Sequence, residues 1–342
     1  METRPCLSVL MPVFNGARYL DEAIQSILRQ TFSDFEFIIV DDGSTDGTAA
    51  ILDRYRLNDC RIQICQQSHQ GLVAALNHGL RLARGKYIAR MDQDDVSLPN
   101  RLSSQIAFMD SRPAVGICGT WIQTYGPDRP DIRRYPSKDE MIRSWLLFES
   151  VLAHPSVMMR RDVLDRHALM YDPRAFCAED YDLWVRAAQH TLLGNVPEVL
   201  LRYRVHAHQM VNTYGAQKRA TAQGIRLRQL HRLGLDPNES EMTLHEALSH
   251  WKMVPRKDFI IDAHAWLIKL MTANQTTGIY PSEAFHRALA CRWDAVCAAA
   301  THLGLWTWNT FTRSRLWADS SLSWKEHLKF GIKCGIRRKQ YA

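Results

Sequence analysis

SVLMPVFNGARYLDEAIQSILRQTFSDFEFIIVDDGSTDGT, residues 8–48, is the stretch that decides the fold of this 342-residue chain. LSVLM (7–11) is an apolar run of strand length. It gives way to an amphipathic stretch from about Ala17 to Arg29, then to a second apolar run at FEFIIV (35–40) that breaks into the Gly- and Asp-rich DDGSTDGT. The alternation repeats: a helical pattern from about Thr48 to Tyr55, RIQIC (61–65), a helical pattern from Leu72 to Arg84, and KYIAR (86–90). Strand and helix in strict alternation require crossover connections, which build a largely parallel sheet covered on both faces. The expected fold is α/β, a doubly wound, mostly parallel sheet whose ligands bind at the carboxyl ends of the strands.

That rule makes the strand ends informative. PVFN follows the first strand, DDGSTDGT the second and MDQDD the fourth, so the three polar clusters share one edge. Asp92, Asp94 and Asp95 in ARMDQDDVSLPNRL (89–102) repel one another and are hard oxygen ligands, which suit Mg2+ or Mn2+. The competing reading is a solvated acidic turn ahead of the helix that starts near Asn100. Asp41 and Asp42 leave the second strand into the crevice, where a carboxylate accepts hydrogen bonds only and so suits a base with an N–H, such as uracil, thymine or guanine. Helix capping by Asp46 and turns at Gly43 and Gly47 account for the rest of that motif. AEDYDLW (178–184) puts Glu179, Asp180 and Asp182 at a helix start, where the dipole favours negative charge with or without chemistry. His154, His206 and His208 are each as readily packed or surface histidines as ligands. Arg90 faces a phosphate or pairs with an aspartate.

From Asn100 to about Gln209 the pattern is less regular: a helix at Ser137–Phe148, a strand at HPSVMMR, a helix inside EDYDLWVRAAQ and a final strand at VLLRYRVH. From about Thr213 the apolar residues fall at helical spacing, interrupted at Asp236-Pro237, Pro255 and Tyr280-Pro281. Two domains are expected, residues 1–212 and a mostly helical 213–342. Hydrophobic content of 46% and charged content of 23% exclude a disordered or fibrous chain. The eight cysteines show no CxxC pair and no zinc spacing, so reduced thiols are expected. METRPCLSVLMPVF does not read as a signal peptide, and no window reaches ~18 consecutive apolar residues. A cytoplasmic location follows as an expectation. Of the net charge of +7, residues 311–342 hold most: Arg313, Arg315, Lys325, Lys329, Lys333, Arg337, Arg338 and Lys339 against Asp319 and Glu326. Trp306, Trp308, Trp317 and Trp324 fall among or just ahead of them. Cations with aromatics suit an anionic membrane surface, so peripheral attachment at the inner face is one expectation, and packing of the Trp residues onto the protein is the other.

The ordered series SVLMPVFN…DDGSTDGT, GLVAALNHGLRLARGKYIARMDQDDVSLPNRL, HPSVMMRR, AEDYDLWVRA and YRVH resembles the inverting glycosyltransferases of family 2, over residues 6 to about 209. The resemblance implies an A-type, nucleotide-diphospho-sugar transferase-like fold, with residues 1–212 as the catalytic domain. It implies a nucleotide-sugar donor, a UDP-sugar in the first instance, and a glycan or lipid-linked acceptor, as in polysaccharide assembly. Carried over by position, Pro12 and Phe14 line the base pocket, Asp42 takes the base N–H, and Asp92 lies near the ribose. Asp94 and Asp95 bind the divalent metal, Mn2+ or Mg2+, that bridges the diphosphate. His206 contacts metal or diphosphate, Asp180 is the general base, and His154 and Ser156 lie beside the acceptor. Where family members often carry Asn ahead of the third helix, this chain has Ser68 or His69.

Two rival classes explain less. MDQDDV also resembles the DxDx(T/V) motif of haloacid-dehalogenase-type phosphatases, but that motif normally ends the first strand, and here it ends the fourth. A basic module binding membrane or nucleic acid fits the charge, yet the excess sits in the tail and no nucleic-acid motif accompanies it, so no nucleic-acid partner is expected.

Overall fold

Strand β1 (Leu7–Val13) is buried along its whole length. It lies between β2 (Phe35–Asp41) and β4 (Tyr87–Arg90), parallel to both, and β3 (Ile62–Gln66) continues the parallel set beyond β2. The crossovers are α1 (Leu20–Leu28), α2 (Thr48–Asn58) and α3 (Leu72–Leu82). In α1 the spacing of Leu20, Ala23, Ile24 and Ile27 buries one stripe against the sheet. In α3, Gly79 leaves no space for a Cβ beside the Leu10 side chain, so the helix settles close onto β1.

The computed structural model describes residues 4–127, 129–206 and 214–335. They fall into two compact units, Met1–Ile142 with Ser150–Ala222, and Arg143–Glu149 with Gln223–Ala342. His208, Arg337, Arg338 and Lys339 lie outside the described residues.

After β4 come β5 (Val96–Ser97), α4 (Arg101–Asp110), β6 (Val115–Tyr125), β7 (Ile132–Arg133), α5 (Asp139–Leu146), β8 (Met158–Arg160), α6 (Arg161–Arg166), α7 (Glu179–Ala187) and β9 (Leu192–Arg204). The nine-stranded sheet runs β3-β2-β1-β4-β8-β6-β9-β5, with β7 on β6. β8 is antiparallel to both β4 and β6, whereas β6 and β9 are parallel with register shifts, so the second half of the sheet is mixed. Two features depart from expectation. β6 has no counterpart in the sequence reading, and β9 starts seven residues ahead of VLLRYRVH, at Leu192. Gly116 and Gly119 make β6 read as broken, yet each sits where a Cβ would strike β9 or its lead-in, at Thr191 and Asn195.

The second unit has its own core, built on Leu230, Trp266, Leu270, Phe285, Trp293, Phe311 and Phe330. Its helices are α8 (Gly215–Arg232), which begins in the first unit, then α9 (Glu239–Ser249), α10 (Lys257–Thr277), α11 (Ser282–Ala299), α12 (Leu305–Arg313) and α13 (Trp324–Gly335). Asn238 and Glu241 form a capping box that starts α9. Arg292 is fully buried, with its guanidinium over the rings of Trp145, Phe148 and Trp251 and 2.9 Å from Glu149. Among the described residues, no helix is long and apolar enough to cross a membrane.

Candidate active site

The loops after β1, β2 and β4 are tied into one surface by short polar side chains. Gln93 accepts from Phe14 N (2.9 Å) and donates to Phe14 O (3.1 Å), which clamps MDQDD to PVFN. Asn15, in the left-handed region at φ 47°, accepts from Thr45 N (2.8 Å), and its own N–H donates to Ser44 Oγ (2.9 Å). Asp46 accepts from Thr48 N and Ala17 N, so it serves the start of α2.

Within this surface Phe14 stacks on His69, with centroids 4.0 Å apart and 23° between planes, and both rings are partly open to solvent. Pro12 lies lower, buried in β1 opposite Val40. Asp42 is only 2% exposed, and its carboxylate is already engaged by its own chain. It accepts from Gln67 Nε2 (2.7 Å), Gln70 N (2.9 Å) and Gly71 N (2.8 Å), while His69 Nδ1 lies 2.8 Å from its Oδ2 and 3.2 Å from its backbone carbonyl oxygen. Three donors, with the imidazole beside them, take up most of the roughly four acceptor sites of a carboxylate. In this arrangement Asp42 holds the 67–71 loop, which in turn carries His69 to Phe14.

Asp92, Asp94 and Asp95 converge, each offering an oxygen within 4.8 Å of the others. Three positive or donating groups meet them. Arg90, buried at the end of β4, donates to Asp92 Oδ2 (2.5 Å). His206 Nε2 lies 2.9 Å from Asp94 Oδ2. Arg204 donates its backbone N–H to Asp95 Oδ1 (2.8 Å) and its Nε to Asp94 O (2.8 Å), and its guanidinium covers Tyr19 and Tyr125 and pairs with Glu22. Asp95 is fully buried, and its Oδ2 has no hydrogen-bond partner among the described residues. Burial, followed by the charges of Asp92 and Asp94, holds the Asp95 carboxyl well above the ordinary carboxylate range. Burial also raises Asp92, against the opposing pull of Arg90. Beneath them Arg101 donates to Arg90 O and Ser97 Oγ, and its own burial pulls its pKa down to about 9.

Asp180 stands in the first turn of α7, close enough that its charge acts on Asp92. Burial raises the Asp180 carboxyl, with the charge of Lys218 opposing. Burial and then Asp180 push Glu179 up to about 7. His154 is held neutral by burial, with Nε2 2.9 Å from the Tyr171 hydroxyl. Ser156 is fully buried, donating to Ala153 O and accepting from Thr120 N, which is packing.

Residues 8–168 match the family model for glycosyl transferase family 2. The O-antigen biosynthesis glycosyltransferase WbnJ of Escherichia coli is 36% identical over 210 residues, 58% of this chain and 80% of that protein. The chain belongs to glycosyl transferase family 2. The fold of this glycosyltransferase is shared with TarS of S. aureus, solved with UDP-GlcNAc: TM-score 0.57 and 17% identity over 95% of this chain and 90% of that one. It is shared too with the mannosyltransferase PcManGT of Pyrobaculum calidifontis, solved with GDP-Man and Mn2+: TM-score 0.52 and 17% identity over 97% and 86%. The phosphatase reading falls with this assignment.

In the glycosyltransferase several partners of the expected site residues went unnamed in the sequence. Gln93 sits inside MDQDD, whose three aspartates carry the charge signal, and Arg204 inside YRVH, whose histidine is the ligand type. Lys218 and Tyr171 carry no local signal, because they reach the crevice through the fold.

Proposed function

We propose that this glycosyltransferase moves a sugar from a nucleotide-sugar donor, in the first instance a UDP-sugar, to a hydroxyl of a glycan or lipid-linked acceptor, with inversion at the anomeric carbon. The observation that carries the reading is the convergence of three carboxylates, with a raised carboxyl at the start of α7 whose charge reaches them and a stacked aromatic pair on the loop tied to them. Inversion by single displacement needs one base on the face opposite the leaving group. Asp180 fits that role, since the burial that raises its carboxyl makes its ionised form a stronger base. In the reaction the acceptor oxygen forms its bond to the anomeric carbon as the bond to the diphosphate breaks. The acceptor proton passes to Asp180, and the nucleoside diphosphate leaves with the electron pair.

The donor set fits a hard dication: three carboxylates with oxygens within 4.8 Å, one of them a buried oxygen with no partner among the described residues. Asp92, Asp94 and Asp95 would hold Mn2+ or Mg2+, with His206 behind Asp94. When bound, the ion supplies neutralisation of the charge on the departing diphosphate. The Mn2+ in the PcManGT complex supports the same reading, and the UDP-GlcNAc in the TarS complex supports the donor class. Phe14 and His69 offer the base a flat surface, and Arg90 fixes Asp92. An acceptor of polysaccharide assembly accords with the name of the O-antigen relative.

The test is a thermal-shift panel of nucleotides and sugar nucleotides with and without Mn2+, joined to donor-transfer assays. UDP should stabilise the protein in the presence of metal, because a ligand that binds only the native state raises its stability. Asp180→Asn should keep that shift and lose transfer. No response to any nucleotide, or full transfer by Asp180→Asn, defeats the proposal.

A further inference from the structure

The last described helix, α13, exposes the wrong residues for a helix bathed in water. At about 100° per residue, its inward stripe is His327, Phe330, Gly331 and Cys334. Phe330 meets Phe311 edge to face at 4.9 Å, and Gly331 lies against the Trp308 ring, so this stripe fixes α13 to α12. Beside it runs a second apolar stripe that touches nothing comparable: Trp324, Leu328 and Ile332, 71%, 57% and 50% exposed. Next to that runs a row of exposed lysines, Lys325, Lys329 and Lys333. Each triplet repeats every four residues, so each forms a strip along the helix axis, and the strips lie side by side.

Two further exposed apolar residues lie at the helix's inward stripe. Trp317, 44% exposed, meets His327 edge to face, and Leu305, 63% exposed, follows Gly304, which abuts the carbonyl of Cys334. A solvated helix face normally carries polar residues, and clustered exposed apolar side chains mark a docking surface.

The charges say what docks there. None of the three lysines forms a salt bridge among the described residues. The helix's one acid, Glu326, is taken up by accepting from Ser323 N (2.7 Å) and Ser323 Oγ (2.6 Å). A second copy of the chain would bring three more lysines and the same engaged acid to the contact. An anionic surface would instead complement the row. Leu and Ile beside Trp, with lysines along one flank, is the pattern of a helix lying in the headgroup region, its apolar side chains sunk and its ammonium groups in the phosphates.

We propose that α13 docks the protein on a bilayer rich in anionic lipid. This goes beyond the donor chemistry and does not depend on it. Each lysine near an anionic surface favours binding by about fivefold, so the row should supply on the order of a hundredfold, lost as salt screens it.

The experiment uses the full chain with vesicles of phosphatidylcholine alone or mixed with phosphatidylserine. The wild type should co-sediment with the mixed vesicles at low salt and far less with the neutral ones. Lys325→Glu/Lys329→Glu/Lys333→Glu should lower partitioning by a hundredfold or more. Trp324→Ser/Leu328→Ser/Ile332→Ser should lose it at every salt concentration, and both variants should keep the wild-type thermal midpoint, since the altered side chains are exposed. Arg337, Arg338 and Lys339 stay unchanged throughout, so binding by either variant at the wild-type level overturns the assignment to α13. So does a wild type that ignores anionic vesicles, or an apolar-strip variant that turns a dimer into a monomer without lipid. Should a triple variant misfold, quenching of wild-type tryptophan fluorescence by brominated acyl chains, reduced in Trp324→Phe, gives the same decision.

Discussion

Replacing Asp42 with Asn separates two jobs that a carboxylate at a strand end can perform. In one it waits for the N–H of a nucleotide base, and in the other it organises its own loop. Its three donors, Gln67 Nε2, Gln70 N and Gly71 N, with the His69 imidazole close by, favour the second. Asn keeps one oxygen and offers an NH2 in place of the other. Either orientation of the amide leaves one backbone N–H, that of Gln70 or Gly71, facing a donor. A hydrogen bond to a charged acceptor is worth about 1.5–3 kcal/mol, and a buried N–H left unpaired costs about 1–3 kcal/mol. Taking about 2–3 kcal/mol for the loop, opening becomes roughly 30- to 150-fold more frequent. Amide exchange of the ligand-free protein, resolved over residues 67–72, reads this directly, with exchange elsewhere in the sheet as the control. Calorimetric UDP binding is measured on the same samples. Unchanged exchange together with lost UDP affinity would refute the reasoning, because the carboxylate would then be acting on the base alone.

Glu179 gives a pH prediction. Its folded-state pKa, raised to about 7, exceeds the ordinary value of 4.5, so its contribution to stability is complete below that ordinary value and is lost as pH rises through about 7. Glu179→Gln should therefore gain unfolding free energy relative to wild type across that interval, by up to about 3 kcal/mol, and parallel stability–pH curves would reject the assignment. Asp95→Asn should leave the ligand-free midpoint near that of wild type while shrinking the Mn2+-dependent rise with UDP. An undiminished rise would take Asp95 out of the metal set. In the second unit, Arg292→Met removes the guanidinium from over three aromatic rings and leaves the Glu149 carboxylate without that charge partner, and should destabilise that unit by about 3 kcal/mol, partly restored by adding Glu149→Gln. Guanidinium unfolding followed by tryptophan fluorescence measures it, and a wild-type midpoint in the single variant would show that the ion pair is dispensable.

The parallel half of the sheet was legible because β1 to β4 each end where the hydrophobic period changes, with Gly, Asn or Asp at the break. The strand at HPSVMMR was read as well, though not that β8 runs antiparallel to both neighbours; the long β6 was not, since Gly116 and Gly119 look like breaks until β9 is seen against them. The site divides the same way. Which side chains carry negative charge was readable from MDQDD and AEDYDLW. Which positive groups answer them was not, apart from the alternative left open for Arg90, now paired with Asp92.

The reason lies in sequence separation. Arg204 and His206 reach the carboxylates across about 110 positions, and they do so only because β9 pairs with β6 along its length and with β5 at Val96 and Ser97, immediately after Asp95. That pairing sets the register: Val96 opposite Arg202 brings Arg204 N onto Asp95 Oδ1 two residues further on. YRVH therefore works as a clamp, its arginine closing on Asp95 and on the Asp94 carbonyl while its histidine meets the Asp94 side chain. The chain's own groups satisfy Asp92, Asp94 and one oxygen of Asp95, and the oxygen left over is buried where only a cation or a proton can compensate it. Its raised pKa reflects that burial and the charges of Asp92 and Asp94 beside it. The same closure that completes the carboxylate cluster thus creates its demand for positive charge.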